Sequence, residues 1–394
     1  PVLVEVPLDV FREDVGDFNY VPSYKARSTP DPESVNEVAA VLASAERPVI
    51  YAGQGVHYAK AWDALKTLAE TWQIPVTTSL EGKSAFPEDH PLALGSGGRA
   101  IPKPVHEFLQ DADVILGIGC SFALTAFGVQ MPKGKTIIHA TLDAKDLNKD
   151  VPAQHVLLGD AKLTLESLNT ALEGHPKDAV VARADVPAQI AEIKADWLET
   201  RKTKLTSNAA PISPYRVIWE LKQRVDPENT VITHDAGSPR DQLSPFWEST
   251  RPLSYIGWGK TTQLGYGLGL AMGAKLARPE ALCINVWGDA AIGFTGMDFE
   301  TAVRERIPIL SILFNNFSMA IELPIMQVAT EKYRSTDISG HYADMAKAFG
   351  GYGERITDPD EITAAIERGI AATERGQPAL LEFITEQELA ISTF

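Results

Sequence analysis

Short apolar runs alternating with helix-length stretches occupy most of this 394-residue chain, and that rhythm restricts its fold more than any other feature. Val49-Ile50-Tyr51-Ala52, Val76-Thr77-Thr78, Val114-Ile115-Leu116-Gly117, Thr136-Ile137-Ile138-His139 and Val156-Leu157-Leu158 read as strands, being brief, rich in β-branched residues and apolar at consecutive positions. A strand that is apolar on both faces needs cover on both faces. Helical patterning at Val35 to Ala45, Ala59 to Trp72, Val105 to Gln110 and Leu163 to Leu172 supplies that cover. Strand and helix in alternation predict a parallel, doubly wound sheet, an α/β domain over residues 30–175.

From 176 to 212 the chain is rich in Ala, Lys and Asp, carries Pro176, Pro187 and Pro211, and shows no strand pattern; it reads as a helix-forming connector. The rhythm then resumes with a helix at Pro214 to Arg224, a strand at Thr230 to Thr233 and a Gly-rich helix at Thr262 to Ala277. Next come strands at Leu282 to Trp287 and Ile309 to Phe314 around a helix at Met297 to Arg306. Helices at Tyr342 to Phe349 and Pro359 to Thr373 and a strand at Ala379 to Ile384 complete a second doubly wound α/β domain, residues 213–394. Pro1 to Val10 reads as a buried strand, followed to residue 29 by a polar, Pro-containing linker. A strand needs a sheet, and the next candidate lies far downstream, so we expect further chain to precede Pro1. Trp62, Trp72, Trp197 and Trp219 fall in helical stretches and are expected in the core.

Charge excludes some partners. With 36 basic against 52 acidic residues the net charge is −16, the wrong sign for nucleic acid or an anionic membrane surface, so any phosphate has to be held locally. No apolar run approaches the ~18–20 residues that span a bilayer. Cys120 and Cys283 sit far apart in apolar stretches, which excludes a disulfide framework or a cysteine zinc site and points to a reducing, cytoplasmic setting.

Two strand ends carry the chemistry. Trp287-Gly288-Asp289-Ala290-Ala291 closes one strand and Phe314-Asn315-Asn316-Phe317-Ser318 the next, with room between Asp289 and Asn316 for one crossover helix. A right-handed βαβ unit brings both side chains to the carboxyl edge of neighbouring strands. A carboxylate with an amide oxygen suits a hard divalent cation that completes its shell with ligand phosphates. Two backbone-rich turns, Asp235-Ala236-Gly237-Ser238-Pro239 and Gly265-Tyr266-Gly267-Leu268-Gly269, offer close approach and a helix N-terminus, so a diphosphate is the natural ligand. Taken singly, Asp289 is equally a cap and Asn315-Asn316 an ordinary turn.

Gly288-Asp289-Ala290 through Asn315-Asn316 resembles the Gly-Asp-Gly and Asn-Asn signature of the thiamine-diphosphate-dependent family that includes acetohydroxyacid synthase, pyruvate oxidase and oxalyl-CoA decarboxylase. Leu264-Gly265-Tyr266-Gly267 resembles that family's Gly-rich helix after a bulky apolar residue, and the likeness covers both domains. The resemblance implies thiamine diphosphate and Mg²⁺, the metal on Asp289, Asn316 and the Ser318 carbonyl. It further implies Gly237, Ser238, Gly288, Ala290 and Ala291 beside the phosphates, and Leu264 as the wedge that bends the cofactor. Ala290 stands where the family has glycine, and a positive φ there would strain it. The first domain, from Arg47-Pro48-Val49-Ile50-Tyr51-Ala52-Gly53-Gln54-Gly55, resembles the family's central domain, which holds FAD, ADP or nothing. Gly53 and Gly55 would then lie under a phosphate and Asp143 and Asp160 beside ribose and adenine; the plainer reading is a tight turn and two helix caps. Cys120-Ser121-Phe122 stands where relatives often carry a basic residue.

The family's activating glutamate lies in an N-terminal pyrimidine-binding domain of another subunit. Residues 1–29 would be the end of that domain and its linker, and neither Glu81 nor any other glutamate here is taken in its place. The implied function is decarboxylation of a small 2-oxo acid, with or without ligation to a carbonyl acceptor as in acetolactate synthesis. It requires a pyrimidine-domain chain or N-terminal segment and a homo- or hetero-oligomer. Two alternatives stay open: a lyase acting on an acyl-CoA, and a non-catalytic regulatory subunit. His234 and Asp235 either face substrate or are structural, Arg240 and Asp241 suit a local ion pair, and Trp258, Phe317, Met319 and Glu322 are candidates for the mouth of the site.

Overall fold

The computed structural model describes residues 3–24, 26–258 and 263–392. The first sheet holds β1 (Pro48–Ala52), β2 (Val76–Ser79), β3 (Ala93–Gly97), β4 (Val114–Ile118), β5 (Thr136–Thr141) and β6 (His155–Leu158), in the order β3-β2-β1-β4-β5-β6. Every neighbouring pair is parallel. The two-residue side-chain period fills both faces: Ile50 and Ala52 join Leu116 and Ile118 under the helices Pro32–Ser44, Trp62–Trp72 and Ala161–Leu172. Val49, Tyr51, Ile115 and Ile137 pack on the opposite face with Val105 and Leu109 of the helix Lys103–Asp111.

The second sheet holds β7 (Thr230–His234), β8 (Tyr255–Ile256), β9 (Leu282–Gly288), β10 (Leu310–Asn315), β11 (Tyr352–Ile356) and β12 (Ala379–Ile384), in the order β11-β12-β10-β9-β7-β8 and again parallel throughout. Ile232, Ile284, Ile312 and Phe383 fill one face and Val231, Cys283, Leu313 and Leu380 the other. Both cysteines are buried and neither is in a disulfide.

Four differences from the sequence expectations have physical causes. Residues 3–24 are exposed and contain one short helical turn, Leu8–Phe11, and no strand, since none of them pairs with an edge of either sheet. The expected helix at 59–72 is two, Gly55–Ala59 and Trp62–Trp72, broken where Lys60 turns to φ 52°. The strand β3, Ala-Leu-Gly-Ser-Gly, and the polar edge strand β11 lack the β-branched signal that marked the others. The Gly-rich helix begins at Tyr266, not Thr262, which lies outside the described residues.

The helix Val186–Leu205 ties the two sheets together, with Ile190 in the first core and Trp197 stacked on Phe246 in the second. Trp72 and Trp197 are buried as expected, whereas Trp62 and Trp219 are half-buried. A second tie is electrostatic. Glu88, buried, takes Lys83 Nζ at 2.6 and 2.5 Å, Ser96 Oγ at 2.9 Å and the Ser249 N–H at 2.8 Å, while its own N–H donates to the Ser249 carbonyl at 3.0 Å. Burial pulls the Lys83 ammonium below its ordinary value, and Glu88 works against that pull. Glu88→Gln leaves a buried ammonium without its counter-charge and is expected to cost about 3–5 kcal/mol, read from urea denaturation; a change under about 1 kcal/mol, the size of an exposed pair, would show that the tie carries little.

Candidate functional site

Sequence order reverses between β7 and β9, which are hydrogen-bonded neighbours with β8 outside one and β10 outside the other. Open parallel sheets bind ligands in the crevice at such a reversal. Here the turns after β7, β9 and β10 enclose a cleft of about 560 Å³. Its lining takes Gly237 and Ser238 from the first turn, Gly288 to Ala291 from the second, Asn316 and Ser318 from the third, and Leu264 from the segment before the Gly-rich helix. The residues that the family resemblance assigned to the diphosphate and its metal therefore all line this cleft, whereas the Gly265-Tyr266-Gly267 turn does not. Met319 and Glu322 line the cleft too. Thr385 and Glu386, just past β12, also reach it; their position after a strand end was the one available signal.

Asp289 is 3% exposed. Its Oδ1 accepts the Ala290 N–H at 2.9 Å, and its Oδ2 accepts the N–H groups of Asn316 and Ser318 at 3.1 and 3.2 Å. Asn316 Oδ1 accepts the same Ser318 N–H at 3.0 Å, so carboxylate and amide oxygen converge on one point. Burial pushes the Asp289 carboxyl up to about 6, against the pull of these N–H donors. Among the described residues it makes no ion pair. Ala290 lies in the helix Asp289–Thr295 and is not among the residues of positive φ, so alanine in the family's glycine position carries no backbone strain.

The turn after β10 is held from behind. Asn315 is fully buried and faces away from the cleft: its Nδ2 donates to Glu382 Oε1 at 2.7 Å, and its Oδ1 accepts the N–H of Phe317, a residue at φ 58°. Glu382, on β12, also takes the Ala343 N–H at 2.9 Å and Arg355 at 2.6 Å. Glu382 and Arg355 were missed in the sequence, since nothing local ties them to a turn that precedes them by many residues.

His234 and Asp235 are fully buried and do not open into the cleft. Burial lowers His234 to about 4, so the imidazole is neutral near pH 7. The N–H groups of Gly265 and Gly267 donate to the Asp235 carboxylate. The phosphate attraction expected of that Gly-x-Gly turn is therefore already spent inside the protein. Arg240 and Asp241 form a buried bidentate pair at 2.8 and 3.1 Å, Trp258 stacks on Tyr266, and Phe317 is exposed beyond the cleft.

A larger cleft, about 1840 Å³, lies at the carboxyl edge of the first sheet and is lined by Gly53, Gly55, Asp143 and Asp160 among others. The Gly53 and Gly55 N–H groups donate to the carbonyls of Ile118 and Gly119 at 2.9 and 2.8 Å, and a Cβ on either would come within 2.6 Å of the Gly119 loop. These glycines serve the close approach of two backbones and leave no N–H for a phosphate. Asp160 caps the helix Ala161–Leu172, and Asp143 caps a short 3₁₀ turn. Among the described lining residues there are carboxylates but no lysine or arginine, so the charge of this cleft does not favour the phosphates of FAD or ADP.

Residues 35–168 match the model of the thiamine pyrophosphate enzyme central domain, and residues 235–383 that of the C-terminal TPP-binding domain. The chain is 30% identical over 416 residues to a probable acetolactate synthase large subunit of Methanocaldococcus jannaschii, covering 99% of this chain and 67% of that protein. It is 30% identical over 401 residues to an acetolactate synthase large subunit of Mycobacterium tuberculosis, covering 98% and 69%. The crystal structure of benzoylformate decarboxylase from Polynucleobacter necessarius shares the fold, with a TM-score of 0.76 at 20% identity over 98% of this chain and 70% of that one. No described helix is long and apolar enough to cross a membrane. With matches to both domain models and similarity to acetolactate synthase large subunits along nearly all of its length, the chain belongs to the thiamine-diphosphate-dependent enzyme family.

Proposed function

We propose that the cleft holds the diphosphate of thiamine diphosphate through one Mg²⁺, bound by the Asp289 carboxylate, the Asn316 side-chain oxygen and the Ser318 carbonyl. The carrying observation is Asp289 itself, a buried carboxylate raised to about 6 with no basic partner among the described residues. A divalent cation supplies that counter-charge, and an all-oxygen donor set suits Mg²⁺, which keeps places in its shell for phosphate oxygens. Gly237, Ser238, Ala290 and Ala291 would surround the phosphates, and Leu264 would press between the cofactor's two rings.

When bound, thiamine diphosphate would supply a nucleophilic carbon and an electron sink for the decarboxylation of a 2-oxo acid. The residues of this chain bind and orient. Glu382 and Asn315 hold the metal-facing turn in place, and His234 is buried outside the cleft. The acid that would serve the aminopyrimidine is assigned to a pyrimidine-binding domain on another chain or segment, and turnover would then require an oligomer or a longer polypeptide. The acetolactate synthase names of the relatives support decarboxylation followed by ligation to a second carbonyl, and their large-subunit designation supports a partner chain. The paired Asp289 and Asn316 speak against a purely regulatory subunit.

Asp289→Ala should abolish Mg²⁺-dependent binding of thiamine diphosphate in calorimetry; unchanged binding would remove the metal assignment. Asn315→Ala, which touches the turn only from behind, should weaken Mg²⁺ binding by about 10–100-fold with the fold kept; wild-type affinity would show that the Glu382 network has no part in the site. The absorption spectrum of the purified chain should show no stoichiometric flavin, and a bound oxidised flavin would overturn the reading of the first cleft.

A further inference from the structure

We infer that Asp235 is a positioning residue that fixes the Leu264 side chain relative to the diphosphate turn, making the cleft select whole thiamine diphosphate over a bare diphosphate. The inference deepens the proposed function and rests on its reading of Leu264 as the residue pressed against the cofactor rings.

Asp235 follows β7 directly and its carboxylate is wholly buried. Oδ1 accepts the N–H groups of Ala236 and Gly265, both at 2.9 Å, and Oδ2 accepts that of Gly267 at 3.1 Å. Ala236 leads into the turn whose Gly237 and Ser238 line the cleft. Gly265 and Gly267 flank the first residue of the helix Tyr266–Ala277, immediately after Leu264. One rigid group thus joins two loops that are 30 residues apart in sequence.

The joined backbone has no slack. Gly265 sits at φ 89°, where a side chain is strained, and a Cβ there would lie 2.9 Å from Phe294 Cβ and from Thr295 Cγ2. Its carbonyl accepts Thr295 Oγ1 at 2.7 Å, so the peptide is gripped from both sides. A Cβ on Gly267 would meet Asn285 Oδ1 at 2.6 Å. Leu264 therefore leaves a pinned backbone and reaches, half-buried, the cleft that Gly237 and Ser238 line.

A capping role alone explains less. A helix cap takes N–H groups of the helix it precedes, whereas Asp235 comes from another element and adds the N–H of the diphosphate turn. A carboxylate beside a diphosphate also repels it and consumes N–H donors that would attract it. What that arrangement provides is geometry.

The test compares Asp235→Asn with the wild-type chain, using circular dichroism for folding and calorimetry with Mg²⁺ for two probes, thiamine diphosphate and inorganic diphosphate. The amide presents an NH₂ to at least one of three N–H groups and so opens the link. Thiamine diphosphate should weaken by about tenfold or more, inorganic diphosphate should bind as in the wild type, and the Gly265 amide should exchange hydrogen faster. Equal loss for both probes, or loss for neither, overturns the inference. A wild-type chain that binds neither probe sinks the cofactor reading itself and is told apart by that control. Should Asp235→Asn fail to fold, Thr295→Val releases the Gly265 carbonyl from the other side; selective loss of thiamine diphosphate again supports the link, and equal loss or none overturns it.

Discussion

A carboxylate buried just past the end of β9, with no positive partner among the described residues, is the constraint around which the second domain is arranged. Removing an ionised group from water is costly unless donors or a counter-ion compensate. Asp289 meets part of that need with three backbone N–H groups, from Ala290, Asn316 and Ser318. Two of those come from the neighbouring strand's turn, so the charge itself draws the β9 and β10 loops together. The shape of the cleft and its affinity for a cation follow from the same interaction.

The turn that supplies those donors is not self-supporting. Phe317 occupies the left-handed region, unfavourable for a bulky residue, and its N–H is held by Asn315. Asn315 is held in turn by Glu382, and Glu382 by Arg355 and the Ala343 N–H. Each step is a buried or part-buried polar contact, the kind that fixes one arrangement because breaking it leaves a polar group unpaired. The paired asparagines of the sequence therefore divide the work: Asn316 faces the cleft and Asn315 faces the core.

Much of this was legible in the residues. Consecutive apolar and β-branched runs marked the central strands closely, β10 and β12 among them, and the spacing of Asp289 and Asn316, each just past the end of β9 or β10, was enough to bring them to one edge. The failures share a cause. Apolar patterning at Pro1 to Val10 reports that a segment can pair, not that an edge awaits it, and residues 3–24 are exposed. Gly53-Gln54-Gly55 reports that backbones approach, not whether the approaching atoms belong to a phosphate or to Gly119. Glu382 and Arg355 act through contacts made only once β11 and β12 are in place, and no local pattern encodes such contacts.

The two carboxylates at the strand reversal bear on how a chain of net charge −16 accommodates a diphosphate. Asp235 uses the N-terminal N–H groups of the helix Tyr266–Ala277, the most obvious anion site in the domain, for an internal link. Asp289 lacks any basic partner among the described residues. Neither attracts phosphate by itself, and together they shift the work from protein donors to a metal. A cation at Asp289 reverses the local sign and leaves the glycine and small-residue turns only the task of shape. Under that division, affinity for the anion resides in the metal and discrimination among anions resides in the geometry that Asp235 and Leu264 impose.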